Sequence, residues 1–318
     1  MSVPRKHHYV PRFYLSGFSE GKHLHVLDKR SWRNFSVNVE DAACERDYYM
    51  IEVEADGDPA ELERFFGTFE TSGAQALRQI VESQVLPPDE VLHEKLLPFV
   101  ALMSVRGPGP RDAIERPFAE MMKQIMWLMT SSKEAYENNI KKVAEQTGAD
   151  LSSVTYEEMR DFVRRGEYDI DMGQNFRMRT LLQMLVPVLE LLSMRHWSLA
   201  VSSADSPDLI CSDRPVSLSW NRAELVHPFF GPGFGVPETT VSMPLNRHLC
   251  LLGVFEEVEP HHVLSAEDVA TLNTCTALQA TRFVYSKADD FVVQLEDRAV
   301  GRAEFIDAVK AATESEQR

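Results

Sequence analysis

A chain of 318 residues with 44% apolar and 26% charged side chains can bury a full-size core, and these proportions exclude wholesale disorder and a membrane-embedded protein. Its net charge of −16 excludes binding to nucleic acid or to an anionic membrane by bulk attraction. Residues 1–33 run against that trend, with seven Lys or Arg against two acids, a local +5 that leaves −21 for the rest of the chain.

Residues 1–53 alternate apolar and polar side chains in short runs, such as 23–27 and 48–51, and predict short strands separated by turns. Pro11 puts the first of these at a sheet edge or in an extended crossing piece, because proline cannot donate to a ladder. At Asp58 the apolar period changes from two to about 3.6, with Asp58 as N-cap, Pro59 at the first helical position and Glu61 in the capping-box position. A helix is predicted from there to about residue 82. Pro87 and Pro88 restart the pattern for a helix ending near Arg106, and Gly107-Pro108-Gly109-Pro110 predicts a hard break.

One long helix is expected over 111–146, with Phe118, Met121, Met122, Ile125, Met126 and Met129 as core filler at helical spacing. Thr155 and Glu158 cap a short helix carrying Arg160, Arg164 and Arg165, and a helix over 172–194 is expected to bend or end early at Pro187. Strands are predicted at 197–203, 209–213, 215–220 and 249–255. Ser265 and Asp268 open a helix ahead of a strand at 283–285, and residues from about 313 read as a polar tail. The order predicts a single α+β domain over 1–312, in which N-terminal strands (1–53) and C-terminal strands share one mixed or antiparallel sheet covered by central helices (58–194).

The N-terminal residues lack the apolar stretch of a secretory signal, and residues 181–194, about 14 long and holding Glu190, are too short and too charged for a bilayer of about 30 Å. A soluble cytoplasmic protein is therefore expected. Cys44, Cys211, Cys250 and Cys275 have no metal-ligand spacing and read as reduced core residues.

There is no Walker phosphate loop, no His-Glu-x-x-His zinc helix and no Gly-x-Ser-x-Gly elbow. The stretch from Gly231 to Gly235 reads as a loop, and His261-His262 as exposed turn residues. Residues 6–18 stand out, packing cations, imidazoles and aromatics around Pro11. In an extended chain His8, Val10, Arg12 and Tyr14 would share one face, and His7, Tyr9 and Phe13 the other.

Residues 6–15, Lys-His-His-Tyr-Val-Pro-Arg-Phe-Tyr-Leu, resemble the opening motif of the bacterial domain-of-unknown-function 4238 family. Trp197 followed by Cys211-Ser212-Asp213-Arg214-Pro215-Val216 is similar to that family's Ser-Asp-x-Pro-Val element, and Met243-Pro244-Leu245 to its Pro-Leu element. The resemblance implies no reaction. It points to His7, His8, Arg12, Glu63, Glu70, Arg106 and Asp213 as the polar residues to place.

Asp213, at the end of an apolar strand, is a candidate to orient a histidine, with a turn-forming role as the bland alternative. Glu63 and Glu70, two helical turns apart beside Phe66, are a solvated face, structural carboxylates or metal ligands. Arg106 either complements a helix C-terminus or clamps an anion. One reading is a phosphodiester-cleaving hydrolase, with His7 or His8 as general acid/base, Asp213 orienting it, and Arg12, Tyr14 and Arg106 holding substrate. A second is a non-catalytic module for an anionic small molecule, nucleic acid or partner protein, and a third makes the opening motif structural. The cofactor is left open: Glu63 and Glu70 could add a divalent metal, but two carboxylates do not indicate one, and the Met-rich helix leaves a homodimer open.

Overall fold

The computed structural model describes residues 5–50, 61–148, 150–151, 153–203, 205–226 and 231–316. The chain divides into two compact units, residues 1–110 with 178–318, and residues 111–177. The elements of the first third are β1 (Lys6–His8), α1 (Arg12–Leu15), β2 (His23–Asp28), β3 (Arg33–Asn38) and β4 (Cys44–Arg46). They are followed by α2 (Glu61–Ser83), α3 (Asp89–Val91), a π-helical turn at Leu92–Leu96, and α4 (Leu97–Val105). The predicted start of α2 at Asp58 and Pro59, and Ile51, lie outside the described residues.

Two local expectations fail here. The opening segment does not stay extended. Beyond Pro11 it turns into α1, with the Tyr14 and Leu15 amides both donating to the Pro11 carbonyl at 3.1 Å, so the two-face alternation stops there. Tyr48 and Tyr49 lie in a turn rather than a strand, because Asp47 at φ 58° ends β4.

The chain continues through α5 (Pro108–Met129), α6 (Lys133–Thr147), α7 (Tyr156–Arg165) and α8 (Gln174–Ser193). The Pro/Gly break is confined to Gly107, at φ 132°, and α5 begins at Pro108, where a missing amide costs nothing. The single helix expected over 111–146 is two: Ser132 leaves the helical path, and its hydroxyl accepts from the Ala135 amide. No residue of α5 is buried, so the Met stripe is not core filler. Thr155 and Glu158 form the expected capping box on α7. In the same 67-residue unit Arg177 ties Glu115, Gln174 and Asp171 together. Pro187 is accommodated inside α8, which buries Met178, Leu181, Leu185, Val188 and Leu192 on one face.

The remaining strands are β5 (His196–Ser202), β6 (Cys211–Ser212), β7 (Ser217–Trp220), β8 (Thr239–Pro244), β9 (Leu249–Val254) and β10 (His261–Leu264). Then come α9 (Ala266–Gln279), β11 (Phe283–Ser286), β12 (Val292–Leu295), β13 (Arg298–Gly301) and α10 (Arg302–Glu316). The Ser265–Asp268 capping box opens α9 as expected. His261 and His262 lie on the edge strand β10 rather than in a turn, and the expected polar tail is the end of α10. All four cysteines are free; Cys211 and Cys250 are buried, Cys44 and Cys275 partly so.

The protein is α+β, and its N- and C-terminal strands do share a sheet, in the antiparallel order β3-β2-β11-β6. Arg282 reinforces this sheet with a two-pronged contact to Asp28, at 3.1 and 2.8 Å. The other C-terminal strands do not join it. They form a second sheet, β10-β5-β9-β8-β7, antiparallel except for the parallel β10/β5 pair, while β1/β4 and β12/β13 stand as pairs. The split follows from β6 being two residues long and stopping ahead of Pro215, after which the chain enters the other ladder at Ser217.

The main core lies under α2, α4 and α8. Eight of the nine residues of α4 are buried, as expected of a helix that is apolar all round. Gly73 of α2 meets Phe99 of α4 so closely that an added Cβ would sit 2.4 Å from the ring. Gly73→Ala gains about 1 kcal/mol of helix propensity but displaces that ring at a cost of about 1–3 kcal/mol. A net loss of about 1 kcal/mol is expected in urea unfolding, and a raised midpoint would show that the two helices separate freely.

Candidate functional site

The π-helical turn and α4 carry the chain to Arg106, which ends the helix in extended backbone (φ −95°, ψ 127°) and turns its side chain into the first unit. Arg106 is 3% exposed. Its Nη1 donates to Glu70 Oε1 at 2.5 Å, its Nε to the Tyr49 hydroxyl, and its Nη2 to the carbonyl of His8. The guanidinium also lies over the Tyr49 and Phe66 rings, 4.8 and 5.7 Å from their centroids. Burial pushes the Tyr49 hydroxyl above its usual range, so it meets Arg106 as a neutral acceptor. One cation thus ties β1, the turn after β4, and α2 together.

Next to this knot opens a cleft of about 590 Å³, whose walls include His7, His8, Arg12, Glu40, Glu63 and Glu70. Gly67, between the two glutamates on α2, would meet nothing within 4 Å if it carried a Cβ, so the helix face is open there.

His7 is buried, stacked on Tyr49 with ring centroids 5.5 Å apart. Its Nδ1 accepts from the Tyr49 amide at 2.9 Å, which places its proton on Nε2, and Nε2 faces Glu63 Oε2 at 3.8 Å. His8 is half-buried. Its Nε2 lies 3.1 Å from the Glu40 carbonyl, which can only accept, so Nε2 carries the proton, and the Nδ1 lone pair has no partner among the described residues. Burial pulls the His8 pKa below that of an ordinary imidazole; the Glu40 carbonyl opposes this, and the charges of Arg12 and Lys6 add to it.

The residues picked out in the sequence thus divide. His7, His8, Arg12, Glu63, Glu70 and Arg106 meet at the cleft, with Arg106 as a strut rather than a free anion clamp. Asp213 does not join them. It is fully buried and accepts from the amides of Thr281, Arg282 and Phe283 at 2.8, 2.7 and 3.0 Å, fastening the start of β11 instead of orienting a histidine. Tyr14 is also fully buried, its hydroxyl donating to the Pro244 carbonyl at 2.5 Å, and so does not face a substrate. Glu63 and Glu70 pair with His7 and Arg106, and among the described residues no group of three or more His, Cys, Asp or Glu is placed to hold a metal ion.

The sequence reading missed Glu40 and Tyr49. Glu40 contributes a backbone carbonyl, which leaves no side-chain signal. For Gly67 a signal existed, a glycine midway between two same-face glutamates on a predicted helix.

A family described as protein of unknown function (DUF4238) matches residues 6–290, a span that holds every residue of the cleft. No curated protein and no solved structure matches the chain.

Proposed function

This chain belongs to the DUF4238 family of proteins of unknown function, and from that premise we propose that the cleft between β1 and α2 is a general-base site that hydrolyses phosphate esters. The observation that carries the reading is the His8 tautomer: an imidazole fixed by a carbonyl at Nε2, with Nδ1 unengaged among the described residues and a pKa held low, is a neutral base at neutral pH.

In this reading His8 Nδ1 takes a proton from water as the water oxygen attacks phosphorus. The ester P–O bond breaks, and the imidazolium returns the proton to the leaving oxygen. Arg12, exposed at the cleft mouth, faces the charge that develops on the phosphoryl oxygens. His7 cannot relay protons with Nδ1 held by an amide, so it is a positioning residue that directs Nε2–H toward Glu63.

The test is turnover of bis(p-nitrophenyl) phosphate and of a short oligonucleotide. His8→Ala is expected to lower kcat by about 100-fold or more while ligand binding persists. Because the base must be neutral and its pKa lies below the ordinary value of about 6.5, wild-type activity is expected to rise with pH through a midpoint under 6.5 and then level off. The same depressed pKa makes the folded state bind fewer protons than the unfolded one in that window, so the stability due to His8 is present above about pH 6.5 and lost below it. Equal turnover by wild type and His8→Ala sinks the assignment.

A second reading, a non-catalytic site for an anion, draws on Arg12, which is exposed on the cleft wall and has no acidic partner among the described residues. Saturable binding by a wild-type protein that shows no turnover would favour it.

A further inference from the structure

We infer that the cleft is one end of a longer furrow that seats an extended single strand of nucleic acid. This rests on the phosphate-ester reading and names its substrate class.

Three hollows lie in series. The 590 Å³ cleft shares Arg12, Glu40 and Glu70 with a hollow of about 440 Å³, and that one shares Phe13 and Ser16 with a third of about 630 Å³ bounded by His248. One face of α2 borders the series from Glu63 through Gly67, Glu70 and Ala74 to Val81, in helical steps of three, four or seven. At 1.5 Å per residue that wall is about 27 Å long. A mononucleotide fills one hollow, whereas a linear polymer fills the row.

The charges along the row favour a polyanion. Arg12, Lys22 and Arg78 are exposed, and together they place a cation in each hollow. Among the described residues none of the three has an acidic partner or a side-chain hydrogen bond. Other cations lining the row are engaged, Lys6 by Asp41, Arg106 by Glu70 and Arg247 by Asp208. In a chain of net charge −16, three cations in one line without partners among the described residues are the positions at which phosphates gain most. Glu40, Glu63 and Glu82 also line the furrow, so attraction is local and salt-sensitive rather than general. Phe13, in the wall shared by the second and third hollows, packs its ring on Phe99 of the core at 5.5 Å between centroids and is half-buried, so what it leaves uncovered can meet one unpaired base, which favours a single strand over a duplex.

The experiment is fluorescence anisotropy on the full chain with labelled single-stranded DNA and RNA of two, four and eight nucleotides, and with polyglutamate of matching charge. Lys22→Glu and Arg78→Glu, both on the surface and outside the proposed chemistry, are the variants. Affinity is expected to rise at least tenfold from two to eight nucleotides, and each variant is expected to weaken the eight-mer at least fivefold while hydrolysis of bis(p-nitrophenyl) phosphate stays unchanged. Three phosphate contacts predict a slope of log affinity against log salt of about −2, reduced by about 0.7 in each variant. Length-independent affinity, variants without effect, or tighter binding of polyglutamate would overturn the furrow. Length-dependent, Arg78-dependent binding without any hydrolysis keeps the furrow and removes the esterase reading. Hydrolysis with length-independent binding does the reverse.

Discussion

Asp213→Ala is expected to lower the unfolding free energy by about 3–5 kcal/mol, although the residue does not line the cleft. The side chain is fully buried, and three backbone amides at 281–283 donate to its two oxygens. Removing it strands three donors, each costing about 1–3 kcal/mol where water cannot reach. Asp213→Asn keeps the shape but has one accepting oxygen, so at least one amide is lost and a smaller effect of about 1–3 kcal/mol is expected. Burial holds the Asp213 pKa above its ordinary value of about 3.9, against the pull of the three amides. With the folded pKa the higher one, the part of its stability tied to the proton is full below about pH 3.9 and lost as pH rises through the folded value. The gap between wild type and Asp213→Asn should therefore narrow as pH rises across that window. Urea unfolding at several pH values measures both. An unchanged midpoint for Asp213→Ala would mean that water replaces the carboxylate.

Arg106→Ala is expected to cost a similar 3–5 kcal/mol, because it leaves Glu70, the Tyr49 hydroxyl and the His8 carbonyl without their common donor. Arg106→Lys is the more informative change. It preserves the charge but not a planar fork reaching three acceptors at once, so at least half of the loss should persist. The His8 carbonyl is also released, so the imidazole loses its footing, and the turnover proposed for His8 should fall with stability. A Lys variant as stable as wild type would show that charge alone holds the knot.

Much of the fold was legible where the determinants are local. The capping boxes at Thr155/Glu158 and Ser265/Asp268 are fixed by residues three apart, and α2 by its apolar spacing. The same logic could have divided the long central helix, since Ser132 followed by Lys133 and Glu134 is a helix start. The partition of strands into separate sheets was not legible, because the pairing of Tyr285 with Val26 and Cys211 joins residues that no short-range pattern connects. At the cleft, the cations and imidazoles were visible as chemistry in residues 6–12. Their supports were not, because the Glu40 carbonyl and the Tyr49 amide act through backbone. Asp213 stands out in the sequence as a carboxylate ending an apolar strand, but its partners are amides about 70 residues onward, which no local pattern connects to it.

The order β3-β2-β11-β6 has a consequence for synthesis. Every residue of the cleft precedes residue 107, yet one side of β2 finds its partner only when β11, at residues 283–286, has been made. At about 5–20 residues per second, the roughly 255 residues between them take about 13–50 s on the ribosome. For that time β2 presents an open edge to the surrounding medium, beside apolar Leu24, Val26 and Leu27 that the finished protein buries. The nascent N-terminal third is therefore the stretch on which a holding chaperone has most to act.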